Sequence, residues 1–255
     1  MLHRHDIPSD ALGVTRRITV WLPPGVRARQ RYFPVLYLND GQNLFEPARA
    51  FAGVTWGVRE TVSRLIRRGA IPPLIVVGID HGGERRAREY LPVEDERNPH
   101  ARRPLGRAYV EFVTREVMPF VSRRYPVDRR AAKTGFGGSS YGAVAALFTV
   151  LEAPGVFGRL LLESPSLYVG RAYLLRRARQ AERWPGRVYL GVGTAETRRG
   201  DWNLETVENV LKLDAILRDA GLGPRRIRTH IEEGAAHTEG AWAGRLAAAL
   251  TFLFE

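Results

Sequence analysis

The chain has 255 residues, 44% of them hydrophobic, and no cysteine. That length suits one large α/β domain spanning residues 1–255 and is short for two, while the missing thiols exclude disulfides, cysteine catalysis and thiolate metal sites. The formal charge is +12, carried almost wholly by arginine because Lys133 and Lys212 are the only lysines.

The arginines fall in scattered pairs, among them Arg67/Arg68, Arg123/Arg124 and Arg225/Arg226. With no long basic run and no zinc-finger or RNP signature, they read as a solvated surface, not a nucleic-acid footprint. Some of the charge could draw in an anionic substrate. The stretch Met1–Pro8 lacks the apolar core of a signal peptide, and no apolar run reaches membrane-spanning length. The expectation is a cytoplasmic protein with no membrane or nucleic-acid partner; a homo-oligomer is left open.

In chain order, Ile18–Leu22 alternates as a strand and stops at the turn Pro23-Pro24-Gly25. His3 and His5 come before it and are expected to precede the fold. Tyr32–Leu38 is a continuous apolar run, as in strands buried on both faces, and it ends in the polar turn Asp40-Gly41-Gln42-Asn43. Helical spacing runs from Thr55 to Arg68, with Gly69 as its cap. Leu74–Ile79 is the next buried strand, followed by a long polar segment from Asp80 to Arg107. Segments of that length within compact domains are usually functional or mobile. Gly106–Tyr125 reads as an amphipathic helix bent or interrupted at Pro119. Further on, strands are expected at Leu160–Leu162, Arg187–Val192 and Arg226–Ile231. Helices are expected at Tyr173–Arg183, Thr206–Leu217 and Ala241–Phe254. Alternating strands and helices imply a mainly parallel sheet covered on both faces, with ligands at the carboxyl ends of its strands.

One such end carries the chemistry. Gly138-Ser139-Ser140-Tyr141-Gly142 fits G-x-S-x-G, the tight strand-to-helix turn that exposes a serine hydroxyl. Ser140 has glycines two before and two after it, whereas Ser139 would have Tyr141 at the second position. A phosphate-cradling loop is the competing reading. It is disfavoured because no Gly-Lys-Ser/Thr opens the helix and the glycines do not spell G-x-G-x-x-G.

A serine needs a base, and the order Ser, acid, His leaves His237. It lies in a loop between the last strand and the last helix, whereas His81 and His100 precede the serine and His230 sits within a strand. Glu196, just past Arg187–Val192, is the favoured acid, with Asp201 and Glu163 as alternatives. The oxyanion donors would be the N–H of Tyr141 and one from the turn after Tyr32–Leu38, Gly41 or preferably Gln42.

These motifs, with Tyr37-Leu38-Asn39-Asp40-Gly41-Gln42-Asn43, Arg86-Ala87-Arg88-Glu89-Tyr90 and Gly234-Ala235-Ala236-His237-Thr238-Glu239-Gly240-Ala241-Trp242, resemble the putative esterases of the α/β-hydrolase superfamily. That group includes enterochelin esterase and esterase D, and the resemblance covers nearly the whole chain. It implies hydrolysis of a small-molecule carboxylic ester by Ser140 and His237, without metal or organic cofactor. It also implies that Asp40, Arg86, Glu89 and Trp242 lie near the substrate, although Arg86 and Glu89 could instead form a structural ion pair. Ala143 stands where the family often has a second glycine, and some relatives look like Ser–His dyads, which leaves the acid least secure. A siderophore trilactone or other anionic ester is the narrower alternative. S-formylglutathione and plant cell-wall esters fit less well. A non-catalytic binding protein on the same fold is the reading from another class.

Overall fold

The computed structural model describes residues 1–24, 26 and 32–255; Gly25, the end of the expected Pro23-Pro24-Gly25 turn, lies outside them. Eight strands form one sheet in the order β1-β2-β4-β3-β5-β6-β7-β8. They are β1 (Leu2–Ser9), β2 (Val14–Trp21), β3 (Val35–Asn39), β4 (Ile75–Ile79), β5 (Thr134–Ser139), β6 (Arg159–Glu163), β7 (Arg187–Gly193) and β8 (Ile227–Glu232). β1 and β2 are antiparallel, and β3 to β8 run parallel.

Burial on both faces explains the unbroken apolar runs. Val35 and Tyr37 point into one core with Val77, Phe136 and Leu160, while Leu36 and Leu38 point into the other with Val76 and Leu161. The first core lies under α2 (Arg86–Tyr90), α3 (Gly106–Glu111), α4 (Met118–Arg124), α5 (Tyr141–Glu152), α6 (Val169–Ala178) and α7 (Gly200–Asp219). The second lies under α1 (Val58–Arg67) and α8 (Glu239–Phe254). This is the α/β-hydrolase fold.

Four expectations need correction. His3 and His5 do not precede the fold: they sit on β1, where both rings meet the Tyr125 hydroxyl, at 3.0 and 2.6 Å. The Gly106–Tyr125 helix is interrupted, but ahead of Pro119 and not at it. It passes through a π-helical segment, Phe112–Val117, before α4 continues with Pro119 in its first turn. α6 spans Val169–Ala178, earlier than Tyr173–Arg183, and opens on three left-handed residues, Gly170 to Ala172. α7 begins at Gly200, six residues before the expected Thr206. The Asp80–Arg107 segment is tied internally, by Arg88 Nε to the Arg103 carbonyl (2.8 Å) and Leu105 N–H to the Arg88 carbonyl (2.6 Å).

Candidate active site

β5 delivers Ser140 to the sheet edge, and α5 leaves immediately after it. The turn is strained: Ser140 has φ 55 and ψ −126, a conformation that persists only where the surroundings enforce it. Its N–H donates to the Glu163 carbonyl at 3.0 Å, and its own carbonyl accepts the Ala143 and Val144 N–H groups. The flanking glycines are required by space. A Cβ on Gly138 would stand 2.8 Å from the Gly142 carbonyl carbon, and one on Gly142 would stand 2.8 Å from Asp40 Oδ2. Ala143 is fully buried, so the small residue packs where the family often has glycine.

The turn after β3 abuts this elbow. Asn39 Nδ2 donates to the Gly142 carbonyl (2.7 Å), and Tyr109 Oη donates to Asn39 Oδ1 (2.5 Å). Asp40 takes a left-handed conformation, φ 56, which a short polar side chain tolerates. Its carboxylate holds Arg86 at both oxygens, 2.7 and 2.8 Å. Gln42 follows in a short 3₁₀ turn, Gly41–Asn43. As early residues of their turns, Gln42 and Tyr141 present N–H groups without an intrahelical acceptor, and neither bonds a carbonyl elsewhere among the described residues.

The loops after β7 and β8 bring Glu196 and His237 together. Glu196 Oε2 meets His237 Nδ1 at 2.5 Å, and Oε1 accepts from Ser164 Oγ (2.6 Å) and the Gly193 N–H (2.7 Å). Burial works to raise the Glu196 pKa, but His237, Ser164 and Gly193 outweigh it and hold the carboxyl below its usual range. Trp242 Nε1 donates to Ser164 Oγ at 2.9 Å, and its ring meets the His237 imidazole edge-on, centroids 5.0 Å apart. An indole, a hydroxyl and a carboxylate thus form one buried chain ending on the imidazole.

The other two carboxylates are engaged elsewhere. Asp201 is exposed and pairs with Arg199 at 3.1 Å. Glu163 is buried against Arg245 at 2.8 Å, both side chains 1% exposed; burial pushes its carboxyl up while Arg245 pulls it back.

Ser140 and His237 line one cavity of about 250 Å³, with Asp40, Arg86 and Trp242. The Ser140 hydroxyl contacts Ser166 Oγ at 3.5 Å and makes no hydrogen bond to His237 among the described residues. Glu89 is absent from this cavity: it is fully buried and accepts from Arg16 at 2.8 and 2.7 Å. The expected Arg86/Glu89 duo is therefore two separate ion pairs, Arg86–Asp40 and Arg16–Glu89.

Sequence reasoning missed His81, Phe51, Asn43 and Glu239, which complete the wall. His81 was set aside by chain order, yet it follows β4, whose carboxyl end faces the site, and that position was the available signal. Its pKa is lowered by burial, against the pull of Asp40, and Nδ1 accepts the Gly83 N–H at 2.9 Å. Burial raises the Glu239 carboxyl, with Asp40 adding to it. Among the described residues Arg86 is the only arginine on this wall, and it is already paired with Asp40, so they show no concentration of the +12 surplus here.

The strand order, the strained serine turn and the acid–imidazole contact define an α/β-hydrolase. The chain matches the model of the family described as Putative esterase over residues 9–253 and belongs to it, so it is an esterase by family. It is 23% identical to the uncharacterized protein YbbA of Bacillus subtilis over 245 residues, 94% of this chain and 92% of that one. It is 31% identical to the iron(III) enterobactin esterase of Dickeya dadantii over 165 residues, 64% of this chain and 33% of that one. Among solved structures, the enterobactin esterase of Shigella flexneri superposes with a TM-score of 0.77 at 23% identity, over 99% of this chain and 58% of that one. The chain thus spans little more than half the length of that enzyme. No helix among the described residues is long and apolar enough to cross a membrane.

Proposed function

We propose that the chain is a serine carboxylic-ester hydrolase working through an acyl-enzyme on Ser140. Ser140 Oγ attacks the ester carbonyl, and His237 Nε2 takes its proton and passes it to the leaving alkoxide. Water, activated by the same nitrogen, then releases the acid. Glu196 holds the imidazole in the tautomer that leaves Nε2 free to accept and stabilises the imidazolium once it forms. The N–H groups of Gln42 and Tyr141 receive the oxyanion; each such donor is worth roughly 3–4 kcal/mol in the transition state.

The observation that carries this reading is the 2.5 Å Glu196–His237 contact on the same cavity as a serine in a strained G-x-S-x-G turn. The missing Ser140–His237 bond is compatible with it, because a hydroxyl turns about a single torsion and such bonds are often long in the empty enzyme. The cavity, about 250 Å³, lies below the roughly 300–1,000 Å³ usual for drug-sized ligands, which favours small esters. The likeness to enterobactin esterases supports a siderophore trilactone as the second substrate class, and the paired state of Arg86 gives anionic substrates no added support.

The test is hydrolysis of p-nitrophenyl acetate, with labelling by a fluorophosphonate. Ser140→Ala should abolish both while circular dichroism stays unchanged. Turnover undiminished in that variant defeats the assignment. Rates on a catecholate trilactone far above those on the acetate would select the second substrate class.

A further inference from the structure

A larger cavity, about 460 Å³, opens at the opposite end of the sheet. Val35 and Thr134, which begin β3 and β5, line it, whereas Asp40 and Ser140 follow the far ends of the same strands. Its volume falls within the range of about 300–1,000 Å³ typical of small-molecule sites.

Tyr37 also lines this cavity. The residue is 1% exposed, yet its hydroxyl has no hydrogen-bond partner among the described residues. Because Tyr37 lines the cavity, its hydroxyl can donate to a molecule bound there. Burial pushes its pKa well up, opposed by the nearby Arg129. The facing wall comes from the π-helical segment and α4, through Thr114, Met118 and Ser122. Single-turn π segments recur at functional sites because they re-aim side chains within a helix.

Two arginines and one aspartate line this cavity. Arg123 and Arg129 line it, and neither pairs with a carboxylate among the described residues. Asp128 lies beside them, but Arg130 engages it at 2.5 Å.

We propose that this cavity is a second ligand site, separate from Ser140, for a small organic anion with an apolar body. Met118, Val35 and the neighbouring stems contact the body, Tyr37 Oη donates to a polar atom on the floor, and Arg129 with Arg123 holds the anionic group. An arginine–anion contact of this kind is a charge-assisted hydrogen bond, the stronger sort.

The probe is 1-anilinonaphthalene-8-sulfonate, titrated by fluorescence into the intact chain, with its uncharged parent N-phenyl-1-naphthylamine as comparison. One equivalent of the sulfonate should bind, and the parent should bind about tenfold more weakly, as the loss of one charge-assisted contact implies. Arg129→Glu, on the exposed rim, and Ser122→Trp, which narrows the mouth, should each weaken the sulfonate by about tenfold or more with unchanged circular dichroism. Ser140→Ala should bind it as the parent protein does. Equal affinity in both rim variants, several equivalents bound, or a loss confined to Ser140→Ala would each overturn the proposal.

Discussion

Replacing Glu196 by glutamine tests the site most sharply, because it keeps the shape and reverses one hydrogen bond. The carboxylate accepts three bonds, from His237 Nδ1 at 2.5 Å, Ser164 Oγ at 2.6 Å and the Gly193 N–H at 2.7 Å. An amide can keep the last two at its oxygen, but it then presents N–H to His237. Two donors cannot face each other, so the imidazole must turn to the tautomer with Nδ1 accepting. Nε2 then carries the proton and has no lone pair for Ser140. The kcat for p-nitrophenyl acetate should fall by about 10³–10⁴ with KM within a few-fold, as for other triad acids. Exchanging a charge-assisted bond for a neutral one should also cost about 1–2 kcal/mol.

That stability loss has a pH signature. The folded Glu196 pKa is depressed relative to the unfolded value of 4.5. The folded state therefore releases this proton more readily than the unfolded one, and the stabilisation is full above the unfolded pKa. It fades as pH falls through the folded pKa, so the parent's advantage over Glu196→Gln in urea denaturation should be present at pH 7 and shrink below pH 4.5. A variant keeping kcat within about tenfold of the parent would refute the reasoning and leave a serine–histidine dyad.

Three further outcomes follow from the packing. Arg245→Met strands the buried Glu163 carboxylate, and breaking such a pair costs about 3–5 kcal/mol; Glu163→Gln/Arg245→Met should recover most of it in urea denaturation, and a double variant no better than the single would refute this. Because the Glu163 carbonyl holds the Ser140 N–H, esterase activity should fall with stability in the single variant. Asp95→Asn weakens the acceptor of the Tyr141 and Tyr168 hydroxyls, at 2.5 and 3.2 Å; a lower melting temperature and a drop in kcat larger than any change in KM are expected, from a displaced Tyr141. Gly138→Ala places a Cβ 2.8 Å from the Gly142 carbonyl carbon, so α5 must shift; about 1–3 kcal/mol of stability and most of the activity should be lost, and an active variant of unchanged melting temperature would contradict the packing.

What could be read from the residues alone was whatever local pattern dictates. Unbroken apolar runs such as Val35-Leu36-Tyr37-Leu38 announce a strand buried on both faces, and the spaced glycines about Ser140 announce a turn no larger residue fits. Placing His237 after the last strand needed only the order of elements. β1 escaped notice because Leu2-His3-Arg4-His5-Asp6 is polar, and what makes it a strand is pairing with β2, which local pattern does not show.

The sequence favours Glu196 over Asp201 and Glu163 by its place after a strand, but it does not show what each carboxylate meets. The structure shows those partners: His237 beside the first, Arg199 at the surface for the second, Arg245 buried against the third. Glu89 met Arg16, 73 residues away, and His81 joined the cavity wall because β4 lies next to β3 in the sheet. Local propensity and spacing depend on neighbours in the chain, so the sequence determined the buried core strands and the serine turn. Which charge faces which depends on contacts between distant segments, and only the tertiary structure decided that.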